Sequence, residues 1–193
     1  MQTNTLILIG VVIVVALVVV LFLMRRRASS QLRSRFGPEY DRVVEEIGGK
    51  EKAEAQLSER QRRVDKFTIK PLGGPERDSF TARWHTLQGQ FVDNPSMALT
   101  SADTLLGEVM AARGYPVEDF EQRSADLSVD HPVVVQNYRA AHDIAAREGT
   151  GEVDTEDRRR AMLSYRTLFD ELVDPPTTPE TGPGKAEKVD DHG

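Results

Sequence analysis

The stretch LILIGVVIVVALVVVLFLM, Leu6–Met24, sets how the rest of the chain is read. It holds nineteen residues without a charged or strongly hydrogen-bonding side chain, and Arg25-Arg26-Arg27 follows directly. As a helix rising ~1.5 Å per residue it covers about 28 Å, close to the hydrocarbon thickness of a bilayer. The sequence therefore predicts a transmembrane helix over 6–24, which would tether the remaining residues to a membrane.

The two ends of this run favour a retained anchor over a cleaved signal peptide. Met1–Thr5 has no Lys or Arg, the apolar run is long, and its end, LFLMRRR, offers no A-x-A-like cleavage site. Five arginines lie within eleven residues after the run, and no Lys or Arg precedes it. This charge bias predicts a cytoplasmic domain and a short extracytoplasmic segment at 1–5. The opposite orientation, with the domain exported, stays open. Five side chains are expected to contact the membrane surface: Arg25, Arg26, Arg27, Arg33 and Arg35.

Composition limits what the tethered part can be. About 165 residues remain, enough for one domain of ordinary size. Cysteine is absent, which excludes disulfides, thiolate metal sites and a cysteine nucleophile. Residues 36–173 hold 18 basic and 26 acidic side chains, a net charge of −8. Because so acidic a body repels phosphate backbones, no nucleic-acid partner is expected.

Apolar residues recur at helical spacing after the first arginines. A basic connector is predicted at 25–36, two accessory amphipathic helices at 37–67, and a bundle of four or five helices at 75–173. Residues 174–193 are rich in Pro, Thr and Gly without periodicity, which predicts a disordered tail. No stretch alternates like a half-buried strand. The expected fold class is therefore all-α, with one N-terminal transmembrane helix, a soluble helical bundle and a disordered C-terminal tail.

The most regular apolar stripe of the bundle contains the only tryptophan. Its members are Phe80, Trp84, Leu87 and Phe91, at positions i, i+4, i+7 and i+11. Aromatic side chains at this spacing line a ligand pocket in some proteins, but they more often form the core of a bundle. We expect the core role here.

One cluster of polar residues is dense enough to suggest chemistry. Its members are Asp119, Glu121, Asp126, Asp130 and His131. Such a set could bind a hard cation or supply a general acid and base. Asp130 and His131 also suit the cap of a helix that starts near Pro132, and the other acids suit a solvated face. The capping interpretation is the one we favour.

His142 is the sharper single candidate. It falls on a predicted apolar face with Tyr138, where partial burial readily shifts the pKa of a histidine. The alternative, which we favour, is a core histidine satisfied by one hydrogen bond. The four histidines include no pair at i, i+3 or i+4, and no phosphate-binding loop follows a strand, so no cofactor or metal is expected.

Several short motifs carry a resemblance to a known family. They are RFGPEYD (35–41), GYP (114–116), DFEQR (119–123), DHP (130–132) and NYR (137–139). In these motifs the chain resembles an uncharacterised family of bacterial membrane-anchored or secreted helical proteins, with an N-terminal hydrophobic segment and a soluble helical part. The similarity covers residues 33–173. It implies no activity, cofactor or site residue.

These observations predict a membrane-tethered helical protein-interaction module at the cell membrane. Its expected partners are the lipid bilayer and either another protein or a second copy of the chain. Two alternatives stay open. One is a small-molecule binder or enzyme with a pocket between bundle helices near Asp130 and His142, and the other is the same domain exported to the cell envelope. Because the motifs assemble no catalytic constellation, a non-enzymatic role is favoured.

Overall fold

The fold is known from a computed structural model that describes residues 2–148 and 152–174, with side chains described from residue 12 onward. Those residues form eight α-helices and no strand, which confirms the all-α part of the prediction. The helices are α1 (Gln2–Phe36), α2 (Pro38–Ile47), α3 (Lys50–Val64), α4 (Gly74–Asp93), α5 (Pro95–Arg113), α6 (Phe120–Asp130), α7 (Val134–Ala146) and α8 (Thr155–Val173). The predicted disordered tail lies outside the described residues from residue 175 onward.

The transmembrane helix predicted at Leu6–Met24 is contradicted. Across the described part of the chain, no helix combines the length and the apolar character needed to cross a bilayer. The single-pass part of the prediction is therefore wrong on this finding.

The predicted connector at 25–36 is the continuation of α1. This second part of the helix ends in Phe36, which is completely buried. Gly37 then adopts a φ of 47°, a left-handed conformation that favours glycine, and Pro38 opens α2 in the position where its missing N–H costs nothing. The turn brings α2 back against the end of α1 and against α3.

Two hydrophobic cores organise the body. The small core joins the end of α1 to α2, α3 and α6, and its buried members are Phe36, Tyr40, Val43, Ala53, Leu57, Val64 and Val129. The large core is built mainly by α4, α5, α7 and α8. In it the Trp84 ring stacks on Phe169 with centroids 4.7 Å apart, so this tryptophan packs in the core as its periodicity indicated.

Glycine and proline fix two chain reversals of the body. Gly114 ends α5 with a φ of 97°, and a Cβ there would lie 2.4 Å from the carbonyl oxygen of Thr68. Asp130 is the last residue of α6 and His131 is its C-cap, so the predicted capping of the following helix by these two residues is wrong. The physical reason is Pro132, which disfavours helical angles at His131 and so ends α6 there.

Candidate functional site

From Val12 to Met24, α1 exposes apolar side chains on every face. Each residue from Val12 to Met24 is apolar, and the large side chains among them are 49–63% exposed. A helix that is apolar all round is stable only where an apolar medium or partner surrounds it. We call Val12–Met24 the apolar arm.

Three arginines follow the apolar arm and form a basic collar at its base. Arg25, Arg26 and Arg27 are all exposed, and none of them forms an ion pair with another residue in the described ranges. Cations at the end of an apolar helix are attracted to anionic lipid headgroups by about 1 kcal/mol each. The apolar arm and the basic collar together form an exposed apolar surface with a cationic edge.

Arg33 and Arg35, the other two predicted membrane contacts, have partners inside the protein. Arg33 donates to Asp41 at 3.0 Å. A guanidinium nitrogen of Arg35 lies 3.5 Å from a carboxylate oxygen of Asp130, and another donates to the carbonyl of Val129 at 3.5 Å. These contacts tie α1 to α2 and α6, so they fix the direction in which the apolar arm leaves the body.

A groove of about 720 Å³ lies between α1 and α3, where the apolar arm meets the body. Its walls combine apolar and charged side chains of both helices, among them Phe22, Arg25, Arg26, Leu32, Lys50 and Glu54. Burial alone would raise the pKa of Glu54, but hydrogen bonds with Ser29 and Tyr40 and the nearby charge of Lys50 outweigh it and lower that pKa. Glu54 is therefore an anion held by the groove wall.

A second polar centre lies at Glu39, a carboxylate with no exposed surface. Arg42 donates to it at 2.8 and 2.9 Å, Arg60 at 2.8 Å and Arg139 at 2.7 Å. Burial disfavours the charge of Glu39, but the hydrogen bonds and charges of Arg42 and Arg139 prevail, so its pKa is lowered. Because Arg139 belongs to α7, this ion network couples the small core to the rest of the bundle.

The predicted polar cluster is divided among separate structural contacts. Asp119 caps α6 by accepting a hydrogen bond from the backbone of Gln122 at 2.8 Å. Asp126 is buried and accepts from Nε of Arg63 at 2.8 Å. Within the described ranges, no three His, Cys, Asp or Glu side chains are arranged to hold a metal ion.

Asp130 and His131 also face different partners. Asp130 accepts a hydrogen bond from the hydroxyl of Tyr115 at 3.2 Å. Nδ1 of His131 lies 3.1 Å from a carboxylate oxygen of Glu171, on α8. These two neighbours in sequence therefore link α6 to different parts of the body.

His142 lies beside an acid that sequence reasoning did not single out. Its Nδ1 is buried, has no hydrogen-bond partner and is 3.8 Å from a carboxylate oxygen of Asp103. Its ring stacks on Phe120 with centroids 3.5 Å apart. Asp130 contacts Arg35 and Tyr115, so its polar partners differ from those of His142. The pocket predicted near these two residues stays a prediction.

Asp103 collects further donors beside His142. It accepts from the hydroxyl of Tyr138 at 3.1 Å and from Arg123 at 3.3 Å. Burial and the charge of Asp103 raise the pKa of Tyr138 above its usual range, so this hydroxyl stays protonated and donates. The arrangement is a partly buried acid with a histidine and a tyrosine at its two sides.

Sequence reasoning missed both Glu39 and Asp103, although helical spacing held a signal for each. Glu39 stands four residues before Val43, which places both on the buried face of α2. Asp103 falls at i+4 from Leu99, a buried residue of α5. An acid on an otherwise apolar face needs an internal partner, and this rule would have found both.

Comparison with known proteins identifies no relative: no family model, no curated protein and no solved structure matches the chain. The fold and the candidate site together define an all-helical protein with an exposed apolar arm and a basic collar. The resemblance to an uncharacterised bacterial family stays a prediction.

Proposed function

We propose that this protein is a membrane-associated helical interaction module whose apolar arm is buried in lipid. The observation that carries the proposal is the run of thirteen exposed apolar residues, Val12–Met24, followed at once by the basic collar. Lipid covers an apolar helix on all its faces, whereas a groove on a folded partner covers one face. The proposal is one of lipid contact and includes no crossing of the membrane.

Vesicle flotation tests the lipid contact. The full chain, transferred from detergent into phosphatidylcholine vesicles, is expected to float with them. A variant with Val14→Asp, Val18→Asp and Leu21→Asp should stay in the dense fraction, because each acid costs about 3 kcal/mol in hydrocarbon. The matched control places three acids on exposed positions of the body, at Gln56, Gln90 and Gln136. Equal flotation of the arm variant and the control would refute lipid burial of the arm.

The basic collar supports a position on the cytoplasmic face. The cytoplasmic leaflet carries anionic lipids and a negative surface potential, which attracts unpaired arginines. We therefore place the folded body in the cytoplasm. A C-terminal fusion to a phosphatase that is active only outside the cytoplasm should be inactive, and an active fusion would favour the exported alternative.

The folded body supplies the interaction part of the proposal. Residues 36–173 carry a net charge of −8, which favours a partner with a basic surface. A proximity-labelling enzyme fused to the C-terminus is expected to mark reproducible protein neighbours. As a control, the same arm and collar are fused to an unrelated helical body. This control shows which neighbours are labelled only because the fusion lies at the membrane. Identical neighbours for both fusions would contradict an interaction role for this body.

A second candidate function, a small-molecule binder or enzyme, is favoured by the surroundings of Asp103. Near it, Nδ1 of His142, Nε of Arg123 and the hydroxyl of Tyr165 are buried polar atoms without a hydrogen-bond partner. A ligand found by thermal-shift screening should lose its effect in a His142→Gln variant of nearly unchanged melting temperature. A large loss of stability would instead assign His142 to packing.

A further inference from the structure

We infer that the groove between α1 and α3 binds the headgroup of an anionic phospholipid. The inference rests on the proposed function, because it names the lipid that the base of the apolar arm would meet. It adds a specific, saturable site to the general contact between the arm and the bilayer.

The groove follows one face of α1 from apolar to polar surroundings. Phe22 lies in the last turn of the apolar arm, and Arg25, Arg26 and Ser29 stand three, four and seven residues further on. Residues at these spacings share a face of a helix. The face therefore offers, in order, an apolar contact and two guanidinium groups, which is the order of an acyl chain and its phosphate headgroup.

α3 supplies the third cation of the groove. Nζ of Lys50 lies 3.7 Å from the carboxylate of Glu54, which also accepts a hydrogen bond from Tyr40 at 2.7 Å. Glu51, the other acid of the groove, is exposed. Three cations against two carboxylates leave one positive charge, and a phosphodiester carries one negative charge. Planar guanidinium groups match phosphate oxygens in pairs, which suits Arg25 and Arg26.

The apolar walls distinguish a lipid from a free anion. Phe22 is 63% exposed and continues directly into the apolar arm, while Leu32 lines the same groove on the body side. A small free anion would neutralise the arginines and leave Phe22 in water. An anion that carries acyl chains covers both kinds of surface at once.

Neighbouring cations provide matched variants for the test. Arg26 lines the groove and Arg27 does not, although both are exposed members of the basic collar. Lys50 lines the groove and Lys52 does not, although both are exposed on α3. If lipid binding were only a general attraction to an anionic surface, substituting either member of a pair would change the dissociation constant equally. If the groove is the site, only the member that lines the groove should have a large effect.

The experiment titrates phosphatidylglycerol into the full chain in neutral detergent and follows bound lipid by native mass spectrometry. We expect saturable binding of one lipid. Arg26→Glu and Lys50→Glu should each raise the dissociation constant by about fivefold or more. Arg27→Glu and Lys52→Glu should change it by less than about twofold. Equal effects within each pair, or binding that never saturates, would overturn the inference.

Flotation with phosphatidylcholine vesicles distinguishes a failure of the groove site from a failure of the proposed function. A chain that floats with neutral vesicles but shows no difference within the variant pairs keeps its lipid-buried arm and has no groove site. A chain that floats with no vesicle has neither a lipid-buried arm nor a lipid site in the groove, and both proposals are then wrong. Melting temperatures of the four variants should agree, which shows that the charge reversals leave the fold intact.

Discussion

The apolar arm and the C-terminal end of α1 carry apolar side chains in opposite surroundings. Phe22, in the apolar arm, is 63% exposed, whereas Phe36, on the same helix, has no exposed surface. The backbone is helical at both positions. What differs is that Phe36 packs against α2, α3 and α6 in the small core, whereas the arm contributes no buried side chain to either core. Helix formation and burial are thus separate properties of this chain.

The largest expected effect on stability is the difference between replacing Phe36 and replacing Phe22 by alanine. Phe36→Ala should lower the free energy of unfolding by about 4 kcal/mol, because it removes a buried ring and leaves a cavity. Phe22→Ala, the same substitution in the arm, should change it by less than about 0.5 kcal/mol. Chemical denaturation of both variants of the full chain in mild detergent measures the difference. Equal losses would show that the arm belongs to the folded core.

The next effect concerns the charges that hold the end of α1 in place. Glu39→Gln removes the anion shared by Arg42, Arg60 and Arg139 and should cost roughly 3 kcal/mol of unfolding free energy. The control is Glu46→Gln, since Glu46 pairs with the same Arg42 at the surface and contributes at most about 1 kcal/mol. A Glu39 variant as stable as the Glu46 variant would mean that the network does not support the fold.

Glu39 also predicts how stability depends on pH. Its pKa is lower in the folded chain than in the unfolded one, so its contribution is fully present above the unfolded value of about 4.5. That contribution is lost as the pH falls through the lower folded value. The difference in unfolding free energy between the native chain and Glu39→Gln should therefore shrink on acidification below that pH, in paired denaturation curves. A constant difference across this range contradicts a charged Glu39.

The smallest effect compares two arginines of α1. Arg35→Ala removes the contacts with Asp130 and the Val129 carbonyl and should cost up to about 1 kcal/mol of unfolding free energy, because the pair is partly exposed. Arg27→Ala, in the basic collar, should leave stability within about 0.5 kcal/mol. An Arg27 loss equal to that of Arg35 would mean that the collar also docks on the body.

Helical periodicity predicted the fold class and part of the core, because it depends on residues close in sequence. Trp84 packs as its spacing indicated. The contact of Glu39 with Arg139 joins residues 100 positions apart, which no local pattern encodes. Hydropathy located the apolar run of α1, but the transmembrane span inferred from that run is contradicted. The contact of His142 with Asp103 likewise joins two helices, so it depends on packing that no local pattern encodes.

Lipid burial of the apolar arm is the central claim, and a single label tests it most directly. The chain has no cysteine, so a spin label can be attached at Val18→Cys alone, with Lys52→Cys as the exposed control. In vesicles, the label at position 18 should be relaxed by oxygen, which concentrates in hydrocarbon, and shielded from a water-soluble nickel chelate. The control should show the opposite pattern. Equal access of the nickel chelate to both labels would contradict the account.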